Sequence, residues 1–144
     1  MKSEFAVNAA SHIQLTVRAP SSPDLVARVL ETVRTRGNGV RTYCAFQSQN
    51  HTVMMIVPGD VRRAALALES IGHRCQSTPV VVVTMPYRVG VVAQLGGTLA
   101  TAGVRTLYSY ASFGNDEELV AVFKTIDDER ALEVLGASAL ARAA

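Results

Sequence analysis

Few residues in this sequence are placed to do chemistry, and Gly90 is the most suggestive of them. It stands directly before Val91, Val92, Leu95 and Leu99, which recur at helical spacing, and Arg88 precedes it by two positions. A glycine at a helix N-terminus lets a ligand approach unpaired backbone N–H groups, and the helix dipole there favours a carboxylate. Arg88 would add a charge-assisted bond to such a group. Other candidates read more plainly. His12, His51 and His73 show no HxH or HExxH spacing, so a metal site would have to be assembled from separate elements. Cys44 and Cys75 lack CxxC spacing, lie in strand-like segments and read as buried free thiols. Asp127-Asp128 reads as a helix cap rather than an acid–base pair. No nucleophile elbow, phosphate-cradling loop or dinucleotide fingerprint is present. Tyr108 and Tyr110 share one face of an alternating segment and could stack RNA bases. The segment Leu119 to Lys124 lacks the basic, glycine and aromatic pattern of an RNA-reading sheet, so packing is the simpler role.

The composition agrees with binding rather than polyanion capture. With 144 residues and 49% apolar content the chain can bury a core large enough for one medium domain or two small ones. Its 14 basic and 12 acidic residues give a net charge of +2, with no basic run longer than Arg62-Arg63, so nucleic acid is not implied. No stretch reads as a signal peptide or a membrane span, and the expectation is a soluble cytoplasmic protein without cofactor or metal.

The elements that must position Gly90 follow from periodicity. Residues 1–11 show no sustained period and are expected to form an N-terminal tail. His12 to Arg18 alternates as a strand with one wet face. Ser22 is expected to cap a helix with Pro23 and Asp24 in its first turn, carrying Leu25, Val26, Val29, Leu30 and Val33 to Gly37 or Gly39. Val40 to Gln47 and Thr52 to Val57 read as a hairpin around Ser48-Gln49-Asn50-His51. Asp60 caps a second helix with Ala64, Ala65, Leu68 and Ile71, closed by Gly72, and His73 to Ser77 returns as a strand. This is a β-α-β-β-α-β unit, the split βαβ arrangement of ferredoxin-like folds.

The order then repeats. Four valines from Val80 lead through Met85-Pro86 to the Gly90 loop, a helix ended by Gly103, and an alternating strand with Leu107 set against Tyr108 and Tyr110. Gly39-Val40-Arg41-Thr42-Tyr43 recurs as Gly103-Val104-Arg105-Thr106-Leu107 at the same helix-to-strand junction, which marks an internal duplication. A Gly114-Asn115-Asp116 turn, a strand over Leu119 to Phe123 and a helix with Ala131, Leu132 and Leu135 complete the match. After Gly136 the chain is alanine-rich with no β-branched residue, so the second unit lacks a clear last strand, and a neighbouring strand or subunit is expected along that edge. The expected organisation is a tail (1–11), a first repeat (12–78) and a second repeat (79–144), an α+β fold of two antiparallel sheets with helices on one face. Gly96-Gly97 inside a helix costs about 1 kcal/mol each against alanine, so a close packing contact is expected there. The continuous apolar runs Val53 to Val57, Val80 to Val83 and Leu119 to Phe123 suggest that the side away from the helices meets a partner.

TMPYRVGVVAQLGGTLATAGVRTLYSYAS resembles the ACT domain, a regulatory ligand-binding module of this topology, and the layout looks like a tandem ACT-domain protein. The loop glycine and the Ala102-Gly103-Val104 helix end match the family pattern. The usual acid and proline are replaced by Tyr87 and Val89, and the first-repeat loop, Pro20-Ser21-Ser22-Pro23-Asp24, has no glycine. The resemblance implies a non-catalytic regulatory sensor that holds a small molecule, most plausibly an amino acid, beside Tyr87, Arg88, Val89, Gly90 and Val91. It also implies a homodimer whose output passes to a separate effector protein. Two alternatives stand beside it: a dimerisation or docking module without ligand, and an enzyme on a ferredoxin-like fold acting on phosphoryl or acyl compounds.

Overall fold

The computed structural model describes residues 7–114 and 117–136. The elements run β1 (Asn8–Pro20), α1 (Leu25–Arg36), β2 (Val40–Ser48), β3 (His51–Pro58), α2 (Val61–Ser70), β4 (Gln76–Pro86), α3 (Val91–Thr101), β5 (Thr106–Phe113), β6 (Glu118–Thr125) and α4 (Asp128–Gly136). The chain divides into two compact units: Ile13–Pro79 forms one, and the described residues up to His12 join those from Val80 onward in the other. The boundary cuts both β1 and β4, so each of these strands serves both units.

In the Ile13–Pro79 unit the strand order is β2-β3-β1-β4. The register sets Leu15 opposite Ile56, Val17 opposite Met54 and Ala19 opposite Thr52. These side chains point toward the helices, where Leu15, Val17, Met54 and Ile56 close a core with Leu25, Val29 and Val33 of α1 and Ala64 and Leu68 of α2. α1 starts two residues later than the Ser22 cap implied. Asp24 holds the N-cap position, yet its carboxylate accepts from the Ser22 hydroxyl at 3.1 Å and from Arg28 at 2.6 Å instead of from a helix amide. Gly37 ends α1, its N–H donating to the Val33 carbonyl at 2.8 Å. A Cβ there would lie 2.8 Å from that of Ala64, so the glycine permits the close approach of α1 and α2. Asp60 caps α2, accepting from the Arg63 amide at 3.0 Å.

The second unit has the order β1-β4-β6-β5. Val81 faces Phe123, Val83 faces Ala121 and Met85 faces Leu119, and these pack with Val91, Leu95 and Leu99 of α3 and Ala131 and Leu135 of α4. Asp127 repeats the role of Asp60, accepting from the Arg130 amide at 3.1 Å. Asp128 does something different: it accepts from the Thr125 amide at 3.0 Å, the Thr125 hydroxyl at 2.7 Å and Lys124 Nζ at 2.8 Å. Burial alone would raise its pKa, but these bonds outweigh it and hold the carboxyl below its ordinary value.

Several expectations are corrected. Residues 8–11 are strand rather than tail, and Ala9, with Val7, packs against the second core. The N-terminal half of β1 thus takes the place of the last strand that the second repeat lacks; no strand follows α4 among the described residues. Small residues such as Ala9 and Ala10 carry little periodic signal, so pairing with β4 decides their conformation. His73 to Cys75 are outside β4, which begins at Gln76 and continues unbroken past Pro79. Cys75 therefore precedes a strand, and both cysteines are free thiols of intermediate exposure rather than buried ones. Half-burial raises the Cys75 pKa. Nothing lies within 4 Å of a Cβ built on Gly96 or Gly97, so no contact among the described residues explains that pair. Val82, Val120 and Val122, on the side away from the helices, are buried within this single chain, which removes them as reasons for a second subunit. Val53 and Met55 in β3 are only half-buried. The Asn115-Asp116 part of the expected turn and the chain after Gly136 lie outside the described residues.

Candidate functional site

The duplication brings two strand-to-helix loops to equivalent places. In the second unit, Pro86 ends β4 and the Tyr87 N–H donates to the Glu117 carbonyl at 2.9 Å, anchoring the loop to the turn before β6. In the first, Pro20 ends β1 and the Ser21 N–H donates to the Asn50 carbonyl at 3.1 Å. Ser21, Ser22, Pro23, Asp24 and Leu25 therefore occupy the positions of Tyr87, Arg88, Val89, Gly90 and Val91. Leu25 and Val91 are the buried first residues of their helices.

The structure places Gly90 at the N-cap of α3 with φ 86°, in the left-handed region that a glycine adopts without strain. The Gln94 amide donates to the Gly90 carbonyl at 3.0 Å, the first bond of the helical ladder, and no side chain caps the turn. Val92 and Ala93 are then first-turn residues whose amides have neither an intrahelical acceptor nor a capping side chain. Val91 points into the core, Arg88 is half-buried and Val89 is 89% exposed. Tyr87, 39% exposed, sets its ring edge-to-face on Phe113 with centroids 4.8 Å apart. Tyr87, Val89, Val92 and Phe113 are all exposed apolar residues. Tyr108 and Tyr110 lie elsewhere, half-buried on β5.

The first unit has an open cavity of about 490 Å³ at its loop. Ser21, Ser22 and Pro23 form one wall, Val26 of α1 another, and Gln47 and Thr52 come from the paired ends of β2 and β3. The polar groups form one network. Thr52 donates to Gln47 Oε1 and reaches Ser21 Oγ at 3.3 Å, while Gln47 Nε2 donates to Ser21 Oγ at 2.6 Å. Thr52 is buried, and the β2–β3 register opposes it directly to Gln47. The residues lining this cavity include no acid or base. The nearby Asp24 charge is answered by Ser22 and Arg28, which hold its pKa below the ordinary value.

Sequence reasoning pointed to the loop position and missed Ser21, Gln47 and Thr52. The available signal was the repeat itself, since the register equates Gln47 with Phe113 and Thr52 with Leu119, each pair flanking its hairpin turn.

Each unit is a β-α-β-β-α-β sandwich of one antiparallel sheet and two helices, which defines the ferredoxin-like class; in the second unit the fourth strand comes from the N-terminus. No protein-family model matches the sequence, and no curated protein sequence matches it. Solved structures do. A protein from Bacteroides thetaiotaomicron aligns with a TM-score of 0.75 and 23% identity, covering 88% of this chain and 88% of its own. The regulatory subunit of aspartate kinase from Thermus thermophilus gives 0.66 and 18% identity over 89% of this chain and 95% of that one. Its counterpart from Thermus flavus gives 0.61 and 19% over 91% and 94%. At these identities the likeness is one of fold, and the fold is the β-α-β-β-α-β architecture shared with these regulatory subunits of aspartate kinase.

Proposed function

We propose that this protein is a non-catalytic regulatory sensor that binds an amino acid beside its strand-to-helix loops. The observation that carries the reading is the open cavity of about 490 Å³ at the Ser21–Leu25 loop, within the roughly 300–1,000 Å³ typical of small-molecule sites. The equivalent Tyr87–Val91 segment supports it with uncapped first-turn amides and a half-buried arginine, groups suited to an α-carboxylate. As part of this reading, the output of such a sensor would pass to an effector protein in the cytoplasm. The homodimer belongs to the same reading. The exposed apolar side chains of Tyr87, Val89, Val92 and Phe113 support it, and α3 carries no charge to repel a second copy.

Signalling follows by linkage: a ligand that binds one arrangement of the protein better shifts the population toward it. The test is thermal unfolding of the purified chain with each common amino acid at millimolar concentration. A ligand at a hundred times its Kd should add about 2.7 kcal/mol of stability. A rise in Tm with one or a few related amino acids is the expected result. A folded, dimeric protein that responds to none of them would instead be a docking module.

A further inference from the structure

The two copies of the loop site share a backbone and differ in chemistry. We infer that the first-unit cavity is the selective one and that the Ser21–Gln47–Thr52 network makes it a site for amino acids with uncharged side chains. This inference rests on the sensor reading above and narrows it to one unit and one ligand class.

Counting hydrogen bonds gives the polarity of the site. Ser21 Oγ accepts from Gln47 Nε2 at 2.6 Å, and because the single Thr52 proton goes to Gln47 Oε1, the 3.3 Å contact between Ser21 Oγ and Thr52 Oγ1 is one in which the Ser21 hydroxyl donates. Its hydroxyl proton is therefore used inside the network, and its oxygen keeps one lone pair for a donor on the ligand. Gln47 Oε1 accepts from Thr52, and Gln47 Nε2 keeps a second N–H beyond the one given to Ser21. Thr52, with a single proton already engaged, locks the other two in place from a buried position. The cavity thus offers the ligand one neutral donor, the second Gln47 N–H, and one neutral acceptor, the Ser21 oxygen, both held by the network.

Charge is the second discriminator. A ligand ammonium or carboxylate side chain entering this cavity finds no lining group of opposite sign. Partial desolvation of an unpaired charge is costly, whereas an uncharged side chain meets Pro23, Val26 and Ala45 without penalty. Asp24 does not supply the missing charge, because Arg28 already neutralises it at 2.6 Å.

The second unit could not select in this way. Tyr87, Phe113 and Leu119 replace Ser21, Gln47 and Thr52, and the Tyr87–Phe113 ring contact stands where the polar network stands in the first.

The test uses the full chain in thermal unfolding with serine, threonine, asparagine and glutamine against lysine, arginine, aspartate and glutamate, each at 10 mM or about that concentration, in wild type, Ser21→Ala and Gln47→Leu. Ser21 and Gln47 are both exposed, so the variants should fold, and either one suffices if the other does not. The expected result is a Tm rise with one or more uncharged amino acids only, with the apparent affinity falling at least tenfold in the variants. A larger rise with a charged amino acid would overturn the ligand class while leaving the sensor reading standing. A rise with an uncharged amino acid that survives both substitutions would overturn the site assignment alone. No rise with any compound would overturn both.

Discussion

Ser21, Gln47 and Thr52 in the first unit and Tyr87, Phe113 and Leu119 in the second occupy matching positions on matching backbones, and almost nothing chemical is common to them. The Ser21 and Tyr87 amides make the same anchoring bond to a turn carbonyl, at 3.1 and 2.9 Å, after a proline that ends the preceding strand. Both β2 and β5 carry an irregularity near their start, between Val40 and Thr42 and between Thr106 and Tyr108. The backbone plan is thus set by strand pairing and helix packing, while the side chains at the loop are free to differ. One copy becomes an open cavity with a fixed polar network; the other becomes an aromatic contact with an apolar rim. A shared fold therefore says where a ligand would sit and leaves open which copy takes it.

The largest effect should come from asking how far the two units are separate. Leu95 is fully buried in the second core, and Leu95→Ala should cost about 3 kcal/mol through lost transfer energy and the cavity left behind. Because β1 and β4 are each divided between the units, the loss should not stay local. Native-state hydrogen exchange should show protection falling in β2 and β3 as well as in β5 and β6. Protection that falls only from Val80 onward would mean that the shared strands do not couple the units.

A smaller effect separates the two aspartate caps. Asp60 makes one cap bond to the Arg63 amide, so Asp60→Ala should cost about 1 kcal/mol. Asp128 holds Lys124 and both polar groups of Thr125 and is mostly shielded from water, so Asp128→Ala should cost more, about 2 kcal/mol. The sign with pH follows from its lowered pKa. Its contribution is fully present above the ordinary carboxylate value of 3.8 and is lost as pH falls through the lower folded-state value. Stability measured by urea unfolding at pH 7 and pH 3 should therefore fall more in wild type than in Asp128→Asn. Equal falls would sink the claim that this carboxylate is specifically stabilised.

The same contrast explains what could be read from the sequence. Both hairpins, the caps at Asp60 and Asp127 and the apolar stripes of all four helices are local patterns, and local patterns are legible. The exchange of strands is not local. Nothing in Asn8-Ala9-Ala10-Ser11 announces a strand; its conformation is decided by pairing with distant β4, and the sequence showed that the second unit needed another strand without showing which segment supplies it. The site divides the same way. The loop before α3 was legible through Gly90, whose φ of 86° suits glycine. The cavity in the other unit was not, because it exists only when the β2–β3 register brings Gln47 opposite Thr52 and places both beneath Ser21.

The smallest expected effect concerns the aromatic copy of the site. If the Tyr87–Phe113 contact is a packing element that replaces the polar network, the two rings should be energetically coupled without any ligand. Edge-to-face pairs contribute about 0.5–1.5 kcal/mol beyond buried area, and the exposure of both rings places this one near the lower end. A double-mutant cycle with Tyr87→Ala and Phe113→Ala, read by urea unfolding, should give a coupling of about 0.5 kcal/mol. Neither substitution should alter the response to the amino acid that stabilises the wild type, because that ligand is assigned to the other unit. If Tyr87→Ala abolished the response while Gln47→Leu did not, the roles of the two copies would be reversed. Tyr87, Arg88, Val89, Gly90 and Val91 would then be the working site, and the first-unit cavity the remnant.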